Sequence, residues 1–206
     1  MHPLDKGLRD GLQKLALSLD ETQIAQLLGY LDLIQKWNKV YNLTAVRDPA
    51  EMLTHHLLDS LAVIAPLRRQ LESMGLGGKP VRLLDVGSGA GLPGVVIAVC
   101  CPDITVHCVD TVAKKAAFIQ QVAVSLKLPN LRGIHARVES LTEPYDVVSS
   151  RAFASLVDFV TWSEKALAGQ GVWMGMKGRV PDDEIASLPA DIEVFHVEQL
   201  AVPGLD

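Results

Sequence analysis

An α/β fold, a doubly wound and mostly parallel sheet with a helical extension ahead of it, is what this 206-residue sequence predicts. Three observations carry that expectation. From Val81 onward, short apolar runs alternate with stretches of helical length and periodicity. The first run, Val81-Arg82-Leu83-Leu84-Asp85-Val86, passes directly into Gly87-Ser88-Gly89-Ala90-Gly91-Leu92-Pro93-Gly94, where glycines permit positive φ and leave room for a ligand against the backbone. Residues 1–78, in contrast, carry only helical periodicity, which divides the chain into a helical extension over 1–78 and a cofactor-binding core over 79–206.

In the extension, Leu4, Leu8, Leu12, Leu15 and Leu19 recur at helical spacing. Asp20 and Gln23 form a capping pair for a second helix predicted to run through Lys36, with Ile24, Leu27, Leu28, Leu31 and Ile34 on its apolar face. Residues 42–49 are polar and turn-like; Leu57, Leu58, Leu61, Ile64 and Leu67 mark another helix; the glycines of 74–80 make a linker. In the core, a helix follows the glycine loop to about residue 101. A strand from Ile104 then ends at Asp110, followed by a helix over 114–127 and strands over 131–135 and 145–149. A helix over 156–167, a strand over 171–176, a short helix after Pro181 and a last strand over 192–200 complete the pattern. The alternation demands crossovers, and it puts ligands at the carboxyl ends of the strands, where Gly87, Asp110, residues 137–139, Arg151 and Lys177 all fall.

Composition narrows the function classes. No apolar run is long enough to span a membrane, and Met1-His2-Pro3-Leu4-Asp5-Lys6 lacks the pattern of a signal peptide, so a cytoplasmic address is expected. Cys100, Cys101 and Cys108 are an odd set without metal-ligand spacing and read as reduced packing residues. A net charge of −5 argues against non-specific coating of nucleic acid. Local basic faces remain, at Lys36, Lys39 and Arg47, at Arg137 and Arg151, and at Lys177 and Arg179, each of which also fits an ordinary solvated surface.

The segment from Gly89 to Gly94 fits G-x-G-x-x-G, which admits an NAD site. Asp85, two positions ahead of Gly87, gives Asp-Val-Gly-Ser-Gly-Ala-Gly, which resembles the first motif of class I S-adenosylmethionine (SAM) methyltransferases. In that family the loop approaches the methionine end of the cofactor. An acidic residue at the end of the second strand, here Asp110, accepts hydrogen bonds from ribose hydroxyls in both kinds of sheet, so it supports a nucleoside without choosing between cofactors.

A more specific resemblance spans nearly the whole chain. Residues 36–44 (KWNKVYNLT), 55–61 (HHLLDSL), 84–94 (LDVGSGAGLPG) and 150–154 (SRAFA), in this order and spacing, are similar to the glucose-inhibited division protein B family, bacterial enzymes that methylate N7 of a guanine in small-subunit (16S) ribosomal RNA. The resemblance implies a Rossmann-like class I methyltransferase fold, SAM as cofactor and S-adenosylhomocysteine (SAH) as product. It implies that Gly87, Gly89 and Leu92 contact the cofactor from the loop, that Asp110 holds its ribose, that Val138 and Glu139 flank its adenine and that Arg151 lies beside cofactor and substrate. RNA contacts are expected from Arg137, Lys177, Asn42, His55 and Phe153, and the substrate is 16S ribosomal RNA, free or within the small subunit, with the protein a monomer. Two departures stand out: the family usually continues past residues 202–206 into a basic turn and a final strand, and Asp110-Thr111-Val112-Ala113 replaces the commoner Asp-Ser-Leu.

Guanine N7 carries a free lone pair, so methylation there needs orientation and electrostatics and no general base. His55 and His56, adjacent and without a third partner, suit a helix start or an RNA-facing role better than metal ligation, and no metal is expected. Asp59 suits a structural role. Trp37, Tyr41 and Phe153 suit stacking on a base or packing in the core, and Asn38, Asn42 and Thr44 suit RNA contact or tying of a turn. Arg151, the one residue given a catalytic role, could instead make a surface ion pair with Glu139 or Asp146. Two other function classes fit the scaffold. A small-molecule methyltransferase or NAD-dependent oxidoreductase would have an enclosed pocket; a non-catalytic RNA-binding module would bind RNA without regard to cofactor.

Overall fold

The computed structural model describes residues 1–205. Two helices open the chain, α1 (Asp5–Lys14) and α2 (Glu21–Tyr41). The second starts on a complete capping box, in which the Asp20 carboxylate accepts from Gln23 N–H while the Gln23 side chain accepts from Asp20 N–H. It runs five residues past the predicted end at Lys36, because nothing before Asn42 breaks the helix; Asn42 stops it in the left-handed conformation, φ 50°. The next predicted helix is broken into pieces. Asp48 caps α3 (Pro49–Met52), a π-helical turn covers Leu53–Leu58, and α4 (Asp59–Leu61) and α5 (Ile64–Ser73) follow.

The core then lays down β1 (Val81–Val86), α6 (Gly94–Cys100), β2 (Ile104–Asp110), α7 (Ala113–Ser125), β3 (Leu131–His135), β4 (Tyr145–Arg151), α8 (Leu156–Ser163), β5 (Leu167–Met176) and α9 (Asp182–Ala186), with 3-10 turns at Val138–Ser140 and Glu164–Ala166. The strands are parallel throughout and lie in the order β3-β2-β1-β4-β5. β5 starts four residues earlier than the apolar run suggested, across an irregularity in its pairing between Tyr145 and Val147. In β1, Leu83 faces one apolar cluster and Leu84 the other, as the strand period of two requires. The larger cluster joins α1, α2 and α5 to α6 and α7 through Leu8, Leu27, Leu31, Leu67, Val95 and Phe118, so the helical extension shares its core with one face of the sheet. Cys100, Cys101 and Cys108 are free and buried within it, as expected of packing residues.

The strand predicted over 192–200 does not form. Its apolar alternation lacks a backbone partner, since β5 pairs only with β4 and ends the sheet. The tail instead crosses the helical extension: Glu198 pairs with Arg69, Leu200 and Val202 pack on the larger cluster, and Gly204 lies against Thr54. Val194, Phe195 and Val197 stay exposed. No helix is long and apolar enough to cross a membrane among the described residues.

Candidate functional site

The sheet order reverses between β1 and β4, and the crevice beyond the carboxyl ends of those two strands is where a ligand fits this kind of fold. A cavity of about 240 Å3 lies there. One wall is the glycine loop, through Gly87, Ser88, Gly89, Ala90 and Leu92; the other is Leu43, Thr44 and His56 of the extension with Arg151 and Ala152 from the end of β4.

The loop wall is made of backbone. Gly87 and Gly89 have φ of 63° and 58°, a region that costs most side chains strain, and Gly91 has φ 99° with no space beside it, since an added Cβ would lie 2.5 Å from Val95 and 2.6 Å from Ile119. Four anchors hold it. Gly87 N–H donates to the Val109 carbonyl at the end of β2, and Gly89 N–H donates to Asp110 Oδ2 at 3.2 Å. From α2, the buried Tyr30 hydroxyl donates to the Ala90 carbonyl at 2.6 Å. Beneath the loop, the fully buried Asp85 accepts from Gly94 N–H at 2.8 Å and from the Ser149 hydroxyl at 3.0 Å, tying β1 to β4 and to the start of α6. Burial pushes its carboxyl up to about 7, against the pull of those two donors and of Arg151. Asp85 therefore supports the loop from below and does not line the cavity. Ser88, which does line it, has a buried hydroxyl without a hydrogen-bond partner among the described residues.

Asp110 sits at the carboxyl end of β2, where its other oxygen accepts from Val112 N–H at 2.8 Å. Each carboxylate oxygen retains acceptor capacity toward a ribose. Val138 is buried and Glu139 exposed on the 3-10 turn after β3, on the same end of the sheet.

The opposite wall is made of side chains. Arg151, at the last position of β4, is partly buried and donates to the His55 carbonyl at 3.1 Å, to Asp59 Oδ2 at 3.2 Å and to His56 Nδ1 at 3.3 Å. Its ion partner is thus Asp59, not Glu139 or Asp146; the Asp146 carboxylate accepts from the backbone of Arg82 instead. The buried His56 meets the Thr44 hydroxyl through Nε2 at 2.7 Å. Desolvation, with the Arg151 charge second, drives its pKa down to about 4, so the ring is neutral. Thr44 is held in turn by Asn38, whose buried Oδ1 accepts from Thr44 N–H and whose amide donates to the Val46 carbonyl.

The predicted RNA-contact residues do not converge. Arg137 is exposed beside Val138, and His55 is exposed with its carbonyl given to Arg151. Asn42 accepts from Arg47 at the end of α2, next to a second cavity of about 310 Å3 lined by Gln35, Asn38, Lys39, Arg47 and Met52. Lys177 has an intramolecular occupation: its ammonium donates to the Phe153 carbonyl at 3.2 Å and pairs with Glu184 at 2.9 Å. Phe153 packs against Phe159 and Trp162 and lies over Gly87, so it braces the loop. Trp37 packs edge-on against Phe118 of the core, with Tyr41 beyond it. No group of three His, Cys, Asp or Glu side chains that could hold a metal exists among the described residues.

Tyr30, Ser149 and the pairing of Asp59 with Arg151 were not foreseen. For Tyr30 a signal exists, since a phenol on the apolar face of α2 must find a partner when buried. For the other two, the contacts join residues 64 and 92 positions apart, and only the fold reveals them.

A family model described as rRNA small subunit methyltransferase G matches residues 23–206. The chain is 67% identical to the Ribosomal RNA small subunit methyltransferase G of Acidovorax ebreus (strain TPSY), over 98% of this chain and 91% of that protein. It is 68% identical to that of Paracidovorax citrulli (strain AAC00-1), over 98% and 86%, and 67% identical to that of Albidiferax ferrireducens (strain ATCC BAA-621 / DSM 15236 / T118), over 100% and 94%.

Proposed function

The chain belongs to the rRNA small subunit methyltransferase G family, and from that premise we propose that it transfers a methyl group from SAM to N7 of a guanine in 16S ribosomal RNA. The observation that carries the assignment is the shared cavity, in which the glycine loop and Arg151 face each other across one space. The loop's positive-φ glycines, the unpartnered Ser88 hydroxyl and the free acceptor capacity of Asp110 fit the amino-acid and nucleoside ends of SAM. We assign cofactor contacts to Gly87, Gly89, Leu92, Asp110, Val138, Glu139 and Arg151.

When bound, SAM supplies a methyl carbon on a sulfonium, so that transfer forms the N7–carbon bond, returns the carbon–sulfur pair to sulfur as SAH and leaves the positive charge on the purine. No proton leaves the base, which agrees with the low pKa of His56, the histidine whose ring meets Arg151. The residues of the chain orient and exclude water. Arg151 is locked by three acceptors at the cavity wall, and a guanidinium there can stack on a purine face or donate to its edge, which the point charge of a lysine does not reproduce.

Contacts to the RNA backbone fall to exposed cations around the rim, among them Arg137 and the Lys39 and Arg47 edge of the second cavity, with Asn42 and His55 beside them. Lys177 and Phe153 act by shaping the segment after β4. We place the protein in the cytoplasm, as a monomer acting on the RNA or on the small subunit. Mapping 7-methylguanosine in small-subunit ribosomal RNA from cells with and without the protein tests the assignment. Loss of one modified guanine is the expected result; unchanged RNA overturns it.

A further inference from the structure

The hydrogen bonds of His56 set the direction of the protons between Arg151, His56 and Thr44. A guanidinium has only N–H donors, so His56 Nδ1, 3.3 Å from Arg151, must offer a lone pair. The ring proton of the neutral imidazole therefore sits on Nε2, and it is donated to Thr44 Oγ1 at 2.7 Å. Val46 N–H donates to the same oxygen at 3.2 Å. Both acceptor sites of the Thr44 hydroxyl are then taken, and its own proton is left to give. No acceptor among the described residues takes it. Thr44 lines the cavity together with Arg151 and the glycine loop.

We propose that the Thr44 hydroxyl, held in the donor role by the relay from Arg151 through His56, recognises the 6-oxo group of the target purine. Guanine presents O6 immediately beside N7 on its major-groove edge, whereas adenine presents an amino donor at that place. A hydroxyl that can only donate therefore accepts guanine and meets the adenine amino group with no free lone pair. His56 is a positioning residue in this device, and Thr44 is the one that touches the base. The proposal rests on the guanine-N7 assignment above and adds how the base is chosen.

The test compares single-turnover methylation, with saturating SAM, of two otherwise identical small-subunit RNA substrates. One carries guanine at the modified position, and the other carries 2-aminopurine, which keeps N7 and lacks the 6-oxo group. The unchanged protein should prefer guanine, and Thr44→Val, which keeps the shape and loses the hydroxyl, should reduce that preference about tenfold. Thr44→Ser should restore it. The ratio cancels any general loss of folded protein, Thr44→Ala serves if valine does not fold, and SAH affinity measured by calorimetry should stay within about twofold throughout. A Thr44→Val protein with an undiminished guanine preference overturns the proposal and leaves the guanine-N7 assignment standing. Unchanged protein that methylates neither RNA overturns that assignment, and this proposal with it.

Discussion

The two walls of the cavity are held by different means. The glycine loop gets its shape from positive φ, backbone hydrogen bonds and two buried anchors, Asp85 beneath it and Tyr30 from α2. The facing wall gets its shape from the Arg151 side chain at the end of β4, which reaches one backbone carbonyl and two side chains of the helical extension 92 to 96 positions away in sequence. Backbone geometry is inseparable from the fold, so damage to the first wall should register as lost stability. Damage to the second should register as lost turnover in a folded protein.

The sharpest way to break that contrast is Gly91→Val. The added side chain would collide with Val95 and Ile119 at a φ of 99°. We expect a loss of about 3–5 kcal/mol in chemical denaturation; a loss under about 1 kcal/mol would mean that the loop adapts and is not part of the core.

Asp85 tests the same wall through pH. Its folded carboxyl titrates near 7, above the ordinary 3.8, so between those values the unfolded chain releases a proton that the folded one keeps. Stability from this group is therefore present below about pH 4, falls as pH rises toward 7 and is level above it. Asp85→Asn has no proton to release. Its stability relative to the unchanged protein should thus rise by roughly 3 kcal/mol between pH 5 and pH 8, at about 1.4 kcal/mol per pH unit across the window. Parallel denaturation curves at the two pH values, with no divergence, would show that Asp85 is ionised in the fold.

Asp110 braces Gly89 of the loop and Val112 at the start of α7, and each of its carboxylate oxygens keeps further acceptor capacity. Asp110→Ala should weaken SAH binding by roughly 2–3 kcal/mol in calorimetry and cost about 1 kcal/mol of stability from the two lost backbone bonds. Normal SAH affinity in a protein that melts early would make Asp110 a purely structural residue.

Arg151→Lys carries the smallest expected effect and bears on the second wall alone. The ammonium can keep the Asp59 pairing but cannot span the His55 carbonyl, Asp59 and His56 together. Single-turnover methylation should slow about tenfold, near 1.4 kcal/mol, with the melting temperature changed little. A rate within threefold of the unchanged protein would reduce Arg151 to an ion pair at the cavity edge.

Much of the first wall was legible in the sequence, and little of the second. Buried parallel strands announce themselves as apolar runs, which is why β1 and β2 ended where Gly87 and Asp110 were expected, while β3, an edge strand, kept its predicted bounds although only its Leu131 is buried. The capping box at Asp20 and Gln23 is equally local. The predicted strand over 192–200 failed because alternation states only which residues want cover. It does not say whether the cover is a sheet edge or, as for Leu200 and Val202, the apolar cluster that helices and sheet share. Thr44 and His56 could not be given roles because their chemistry is set by Arg151, and no local pattern encodes a contact across 95 positions. Lys177 shows the same limit: a cation at a strand end reads as open to a phosphate, and only the fold sets Glu184 against it.

The π-helical turn at Leu53–Leu58 has a consequence for how the chain tolerates insertions and deletions. Such a turn holds one residue more per hydrogen-bonded ring than an α-helix, and each residue of an α-helix advances about 100° around the axis. Removing a single residue between Leu53 and Leu58 would turn the segment into an ordinary helix with better intrinsic geometry. It would also rotate Asp59 about a quarter turn relative to the residues before the deletion, and the Arg151 clasp could no longer close on all three of its acceptors. The reading frame of this one turn thus sets the bearing of His56 and Asp59 toward Arg151.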